Sequence, residues 1–315
     1  YYKSKKIFNK YFINTLYKEE KMNYLGELYA LITAFGWAFS SIFFEAASKK
    51  ADSITVNVIR LIMGIIMLGS ATFLSRGVFF PTDSTLHNWT FLSISGIIGL
   101  FLGDMFLYES YILIGARICM LFMTMTPLIV GLFGFLFLGE SLTLVQTIAM
   151  FITCSGVLMV VLKPKSENPE DKKLSPKGIA FITTAVILEA LGNIFTKIGA
   201  KGYDPSSSTQ IRMICAMGVF LFYLTFKKKW GKIFISFTDK KLLGLILLGT
   251  VTATVGITFL ISAFNLINAG VASTFSSISP IIVIPISIIV FKEKVKIREI
   301  AGAFVSVIGI ALFFL

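Results

Sequence analysis

The chain has 315 residues and a net charge of +12, yet 56% of it is hydrophobic and only 15% is charged. A soluble domain is closer to half apolar and about a quarter charged, and here the excess falls in continuous runs of about 20 residues, the length that crosses a bilayer core of ~30 Å. That excludes a water-soluble enzyme core, and continuous runs in place of short alternating ones exclude a β-barrel. The expected fold is an all-α membrane protein, because in lipid every backbone polar group must be satisfied within its own segment.

Residues 1–25 form a basic, aromatic tail, "YYKSKKIFNKYFINTLYKEEKMNYL". No apolar stretch followed by small residues marks it as a signal peptide. It can lie on anionic lipid as a basic helix. Alternatively, Met22 is the natural start and the tail is an end without function. Ten transmembrane helices are then expected, at about 27–46, 54–74, 89–112, 116–138, 142–162, 177–198, 206–226, 240–264, 270–291 and 296–315. Between the fifth and sixth lies "KPKSENPEDKKLSP" (163–176), polar and carrying three prolines, which reads as a linker. The domains are therefore a first five-helix repeat, 26–162, and a second, 177–315.

The two halves repeat one pattern. With a shift of 152, Gly26 meets Gly178, Ile42-Phe43 meets Ile194-Phe195, and Ile59-Arg60 meets Ile211-Arg212. With a shift of 153, "TPLIVGLFGFLFLGE" (126–140) meets "SPIIVIPISIIVFKE" (279–293), and Gly156 meets Gly309. Five helices per half is an odd number, so the second half enters the membrane from the opposite face. Two inverted five-helix repeats result, the plan of many secondary transporters, whose binding site lies near the midplane between halves.

This arrangement resembles the EamA-type branch of the drug/metabolite transporter superfamily. The features are the paired five-helix halves, "IR" early in helices 2 and 7, and the Pro–apolar run–Glu pattern followed by "IAMFITCSGVLMV" or "IAGAFVSVIGIAL". The resemblance covers residues 26–315 and implies a ten-helix transporter with a central cavity, moving small organic metabolites, often outward. The second copy departs from the family's usual "LGE", reading "FKE", at a helix end where little effect on substrate choice is expected.

Pro127 and Pro280 fall near the middle of helices 4 and 9. Each is expected to kink its helix and free a carbonyl that needs a partner or a cavity. Pro285 adds a second irregularity to helix 9. Ser273, Ser276 and Ser277 share a face there, either lining a polar cavity or bonding back to their own backbone. Small-residue spacings at Gly99/Gly103, Ala149/Thr153 and Gly302/Ser306 read as helix packing, with a homodimer face at helices 5 and 10 left open.

Charges inside the spans mark a functional site or a pair. Glu189 is about eleven residues into helix 6, roughly 16 Å deep at 1.5 Å per residue. Its repeat partner is Trp37. A carboxylate beside an indole suits an amine, by charge and by cation–π attraction. Asn193 lies one turn on, and Asp104 and Tyr108 share a face of helix 3, beside Glu109. Trp37, Glu189, Asn193, Asp104, Tyr108, Ser276 and Ser277 are the candidate substrate-binding residues. For Glu189 the alternative is an ion pair with Arg60, Arg212 or Lys197. Arg60 and Arg212, exact repeat partners, are assigned gating or structural roles with Pro127 and Pro280. Glu140 and Glu293 are expected to cap the following helix or bond loop amides.

The three cysteines, Cys119, Cys154 and Cys215, fall in apolar runs, and the single histidine, His87, in a loop, so neither a cofactor nor a metal site is expected. No phosphate-binding loop points to ATP. The basic residues lie in short loops, which fits anionic headgroups and not nucleic acid. Eighteen lysines and arginines flank the face opposite the N-terminus and nine the other. The positive-inside rule would put both termini outside, whereas the resemblance puts them in the cytoplasm. The functional expectation is a secondary transporter, an exporter of small organic metabolites such as amino acids, in the cell membrane. It would work by alternating access, with proton coupling and uniport both admissible, and with the oligomeric state left open, a monomer being admissible. A membrane-embedded enzyme would need a nucleophile–base pair or clustered carboxylates with metal, and a scaffold or sensor would have an interior without polar residues.

Overall fold

The computed structural model describes residues 24–161, 175–228, 230–279, 281–282 and 297–312. All elements among them are helical. They are α1 (Leu25–Ser48), α2 (Ser53–Arg76), α3 (Leu86–Ile114), α4 (Ala116–Met123), α5 (Thr126–Leu138), α6 (Leu144–Val161), α7 (Pro176–Gly199), α8 (Pro205–Lys227), α9 (Trp230–Ser236), α10 (Lys240–Phe264), α11 (Ala269–Ser276) and α12 (Ile297–Ala311). Six of these, α1, α2, α3, α7, α8 and α10, are long and apolar enough to cross a membrane. Most of the tail and the linker, and Pro280, Pro285 and Glu293, lie outside the described residues.

Local chemistry explains the helix starts. Asp52 caps α2 by accepting from the Thr55 amide at 2.9 Å, and its repeat partner Asp204 caps α8 by accepting from the Ser207 amide at 2.7 Å. Ser175 and Asp204 each precede a proline at the first helical position, where the missing N–H is no loss. Thr85 and Asn88 form a reciprocal capping box that begins α3. His87 is therefore not in a loop: it is the second residue of α3, with Nε2 3.3 Å from the Ile198 carbonyl. Short α9 breaks no sequence rule but is too brief to show a periodicity.

Each large helix contact has an image in the other half. α1 packs on α10 and α3 on α7; α5 lies on α7 and α11 on α1; α2 pairs with its counterpart α8, and α6 with α12. The glycines repeat this residue by residue. A Cβ on Gly26 would meet Leu266 and Ile267, and one on Gly178 would meet Leu113 and Ile114, the same contact shifted by one repeat. Outward faces carry large apolar side chains such as Phe222, Phe226, Phe135 and Phe304, the expected dress of a lipid-facing surface.

Three details differ from expectation. The helix that holds Pro127 does not kink about a central proline. It stops at Met123, turns at Thr124–Met125 and restarts as α5, with Pro127 in the first turn. There a proline costs no hydrogen bond, and the Thr124 carbonyl accepts from the Cys154 thiol at 3.2 Å. One repeat later α11 stops at Ser276 and turns at Ser277–Ile278. Second, Gly96–Gly103 of α3 is π-helical, a rare winding. A Cβ on Gly96 would overlap the Arg212 carbonyl of α8, so the widened turn passes directly against that backbone. Third, the face at Ala149/Thr153 and Gly302/Ser306 is spent inside the chain. Ser306 Oγ donates to the Thr153 carbonyl at 3.1 Å, and Gly156 and Gly309 pack on Ser306 and Thr153. It is thus not open to a second copy.

The two halves are tied together at their ends as well. Arg76 of α2 pairs with Asp83, lies 3.4 Å from Asp204, and its Nη1 donates to Ser207 Oγ at 2.7 Å. The Tyr203 hydroxyl donates to Asp83 at 2.7 Å, and together with Arg76 it holds that carboxyl below its usual range. At the opposite end of the pair Lys232 reaches Asp52 at 3.2 Å. The α6–α12 seam yields a direct test. Gly156→Leu or Gly309→Leu should each cost about 1–3 kcal/mol by overpacking, seen as a lowered midpoint of thermal unfolding in detergent. An unchanged midpoint for both would contradict the contact.

Candidate functional site

Two adjoining cavities lie where α1, α3, α7 and α8 converge with the broken helices α4–α5 and α11. The larger, of about 730 Å³, is bordered by Trp37, Arg60, Asp104, Tyr108, Glu189, Asn193 and Arg212, with Ser40, Phe44, Tyr111 and apolar side chains such as Leu100 and Ile257 completing it. The smaller, of about 390 Å³, shares Trp37, Met120, Met123, Glu189 and Asn193, and adds Thr124, Thr126, Pro127, Ser273, Ser276, Ser277 and Ser279.

All seven substrate-binding candidates therefore lie on these walls, as do both arginines and Pro127. Trp37 and Glu189 occupy matching places. A Cβ on Gly103 of α3 would lie 3.4 Å from Glu189 Oε1, and one on Gly256 of α10 3.3 Å from Trp37 Cδ1. Each side chain thus rests on a glycine of the helix packed against its own. Hydroxyls stitch those same helix pairs: Thr33 donates to the Gly256 carbonyl at 3.0 Å, and Ser95 to the Gly192 carbonyl at 2.7 Å.

The charges divide unevenly. Arg60 is buried and ion-paired with Asp104; its Nε donates to Asn57 at 2.9 Å, and its guanidinium lies 5.5 Å from the Tyr108 ring centroid and 5.8 Å from that of Phe44. Asp104 is accordingly half of a buried pair as well as a wall residue. None of the three ion pairs considered for Glu189 forms. Arg60 is taken by Asp104, and Lys197 pairs with Glu140 at 2.5 Å and donates to the Ile267 carbonyl at 2.6 Å. Arg212 is not in ion-pair contact with Glu189 among the described residues. Glu109 is drawn off to the Ser53 hydroxyl at 2.6 Å.

The serine face does both things that its sequence allowed. Ser276, Ser277 and Ser279 line the smaller cavity, but each hydroxyl donates to a carbonyl three residues back, at 3.0, 2.8 and 2.8 Å. Their oxygens remain acceptors. Ser273 and Thr126 hydroxyls are buried there without a hydrogen-bond partner. Glu140 does not cap the helix that follows it. Its Oε2 accepts from the amide of Ala269 at 2.9 Å, the first residue of α11 in the other half. Sequence reading missed Met120, Met123, Thr124 and Thr126, which the turn at 124–125 swings onto the wall. The only sequence signal for them was their nearness to Pro127.

The Arg60–Asp104 pair predicts a strong coupling. Asp104→Ala leaves a buried guanidinium unpaired and should cost about 3–5 kcal/mol, read as loss of thermal stability in detergent. The double variant Arg60→Met, Asp104→Leu should recover much of that loss. Equal destabilisation by single and double variants would show that the two do not act as a pair.

Residues 24–162 and again residues 176–315 match the EamA-like transporter family. No curated protein matches the chain. Among solved structures, one described only as the crystal structure of a protein aligns over 91% of this chain and 96% of its own with a TM-score of 0.65 at 13% identity, a likeness of fold.

Proposed function

The chain belongs to the EamA-like transporter family, membrane transporters of the drug/metabolite superfamily, and on that premise we propose that it is a secondary transporter exporting small amine-bearing metabolites such as amino acids. The solute binds in the cavity between the halves, at Trp37, Glu189, Asn193, Asp104 and Tyr108. One observation carries this reading: Glu189 borders both cavities with no ion-pair partner among the described residues, and Trp37 from the other half borders the same space. A carboxylate and an indole facing one space are complementary to an ammonium group.

The path is ten spans in two inverted repeats, moving by alternating access. In support, every major helix contact has its image in the other half, and the helices at 124–125 and 277–278 break one repeat apart. Broken helices at mid-depth are the common material of transporter sites. The salt bridge of Lys197 to Glu140, with the Ala269 amide on the same carboxylate, links α7 to the loop after α5 and to the start of α11 at one mouth, where parting halves would open it. Protons are the natural coupling ion, with Glu189 as the acid that can carry one across.

The test is efflux from proteoliposomes of a panel of amino acids and amines, with and without a pH gradient. Glu189→Gln should fold normally and lower transport of amine-bearing solutes roughly ten- to a hundredfold, the worth of one charge-assisted hydrogen bond, and should blunt the effect of the gradient. Normal transport by this variant would make the carboxylate structural and remove the amine preference.

A further inference from the structure

Arg60 and Arg212 are repeat partners, but only one has its partners. With the shift of 152, Asn57, which accepts from Arg60 Nε, becomes Thr209 and Phe44 becomes Thr196; with the shift of 153, Asp104 becomes Ile257 and Tyr108 becomes Ile261. The Thr209 hydroxyl donates to the Pro205 carbonyl at 2.8 Å. So the second half has lost the carboxylate, the amide oxygen and both rings that hold the arginine of the first. Arg212 is nonetheless 97% buried, and its Nε has no hydrogen-bond partner.

Among the described residues the guanidinium makes no ion-pair contact, though the Glu189 and Asp104 carboxylates act on it at longer range; such a buried cation is costly, and retaining one in a membrane protein needs a reason. Its placement gives one. Arg212 borders the larger cavity, and so does Ile257, where the missing carboxylate would stand. A Cβ on Gly99 would lie 3.4 Å from Arg212 Nη2 and 3.9 Å from Glu189 Oε2. A cation and an anion therefore sit over one glycine of the π-helical turn, neither in ion-pair contact with the other or with any other described residue.

We infer that Arg212 is the carboxylate anchor of the substrate site, so that the solute is a zwitterion bearing its ammonium and carboxylate close together, held between Glu189 and Arg212. This rests on the transport reading above and moves Arg212 from a gating or structural role to a specificity-determining one. The solute's carboxylate stands in for the one the second repeat lacks, and guanidinium suits it by its planar, two-pronged donor geometry. An amine alone would satisfy Glu189 and leave Arg212 bare. An acid alone would do the reverse.

The experiment compares binding and proteoliposome efflux of leucine, of isoamylamine, which lacks the carboxylate, and of leucinamide, where it is neutral, with the same comparison for the other standard amino acids. The wild-type protein should prefer at least one amino acid over its amine and amide by about tenfold or more. Arg212→Gln should abolish that preference while amine transport persists, and Arg212→Lys should restore part of it. Should Arg212→Gln fail to fold, Ile257→Asp serves instead. It supplies Arg212 with an internal carboxylate and should weaken amino-acid binding while sparing the amine. Amines moved as well as amino acids by the wild-type protein would overturn the anchor and leave the transport reading standing. Equal loss of both solute types in Arg212→Gln, or recovery of normal transport in the exchange variant Glu189→Arg, Arg212→Glu, would show a structural ion pair and also overturn it. Normal transport in Glu189→Gln is a separate failure, of the transport reading itself.

Discussion

Charge inside an apolar bundle is the constraint on which the rest of this structure depends. Away from water, an ionised group must find a partner, a hydrogen-bonding wall or a cavity. The chain meets that demand in different ways at different depths. At the helix ends, Arg76, Asp83, Asp204, Lys232 and Asp52 tie the α2–α8 pair together in partly exposed bridges, where ion pairs are individually weak. At mid-depth, Arg60 and Asp104 cancel each other under aromatic cover. Glu189 and Arg212 are left to the cavity.

The apolar frame makes that division possible. α1 on α10 and α3 on α7 approach through Gly36, Gly256 and Gly192, where added side chains would collide with facing backbone or sit tightly against it. Close approach of these helices leaves room only at the centre, where the broken segments end. The π-helical turn at Gly96–Gly103 belongs to the same design. It carries α3 past the backbone of Arg212 at Gly96 and puts two glycines, Gly99 and Gly103, beneath the charged groups, where no side chain of their own covers those groups.

Repeat symmetry and its violation have separate jobs. The symmetric positions are the packing positions: Gly26 and Gly178, Gly156 and Gly309, and the capping aspartates Asp52 and Asp204. The asymmetric ones cluster on the cavity: Trp37 against Glu189 and Asp104 against Ile257, with Tyr108 on its wall against Ile261 in the packed core. A fold made from two copies of one half can keep its architecture while its centre diverges, because helix packing needs matched shapes and the residues that border a cavity do not. The matched breaks at 124–125 and 277–278 show how backbone geometry stays shared even where side chains do not.

The all-helical class, the two halves, the linker and the candidate residues around Glu189 were legible in the sequence, because hydropathy over 20 residues is a local property and a midplane carboxylate is rare enough to be conspicuous. Capping signals at Asp52, Ser175 and Asp204 likewise act within a few residues of themselves. Other features depend on partners distant in the chain. Whether Pro127 kinks a helix or begins one is not legible locally, because the turn at 124–125 packs against a distant segment, where the Cys154 thiol donates to the Thr124 carbonyl. Glu140 looks like a cap for its own successor until α11 is brought beside it. Ser276 and Ser277 could bond backward or face a cavity, and only packing shows that they do both. The two arginines are identical in the sequence repeat. Only the tertiary structure separates them fully, because a charge in a low-dielectric interior takes its role from the groups that surround it: Asn57 against Thr209 is local to the arginines' own helices, but Asp104, Tyr108 and Phe44, and the residues that replace them, come from other helices.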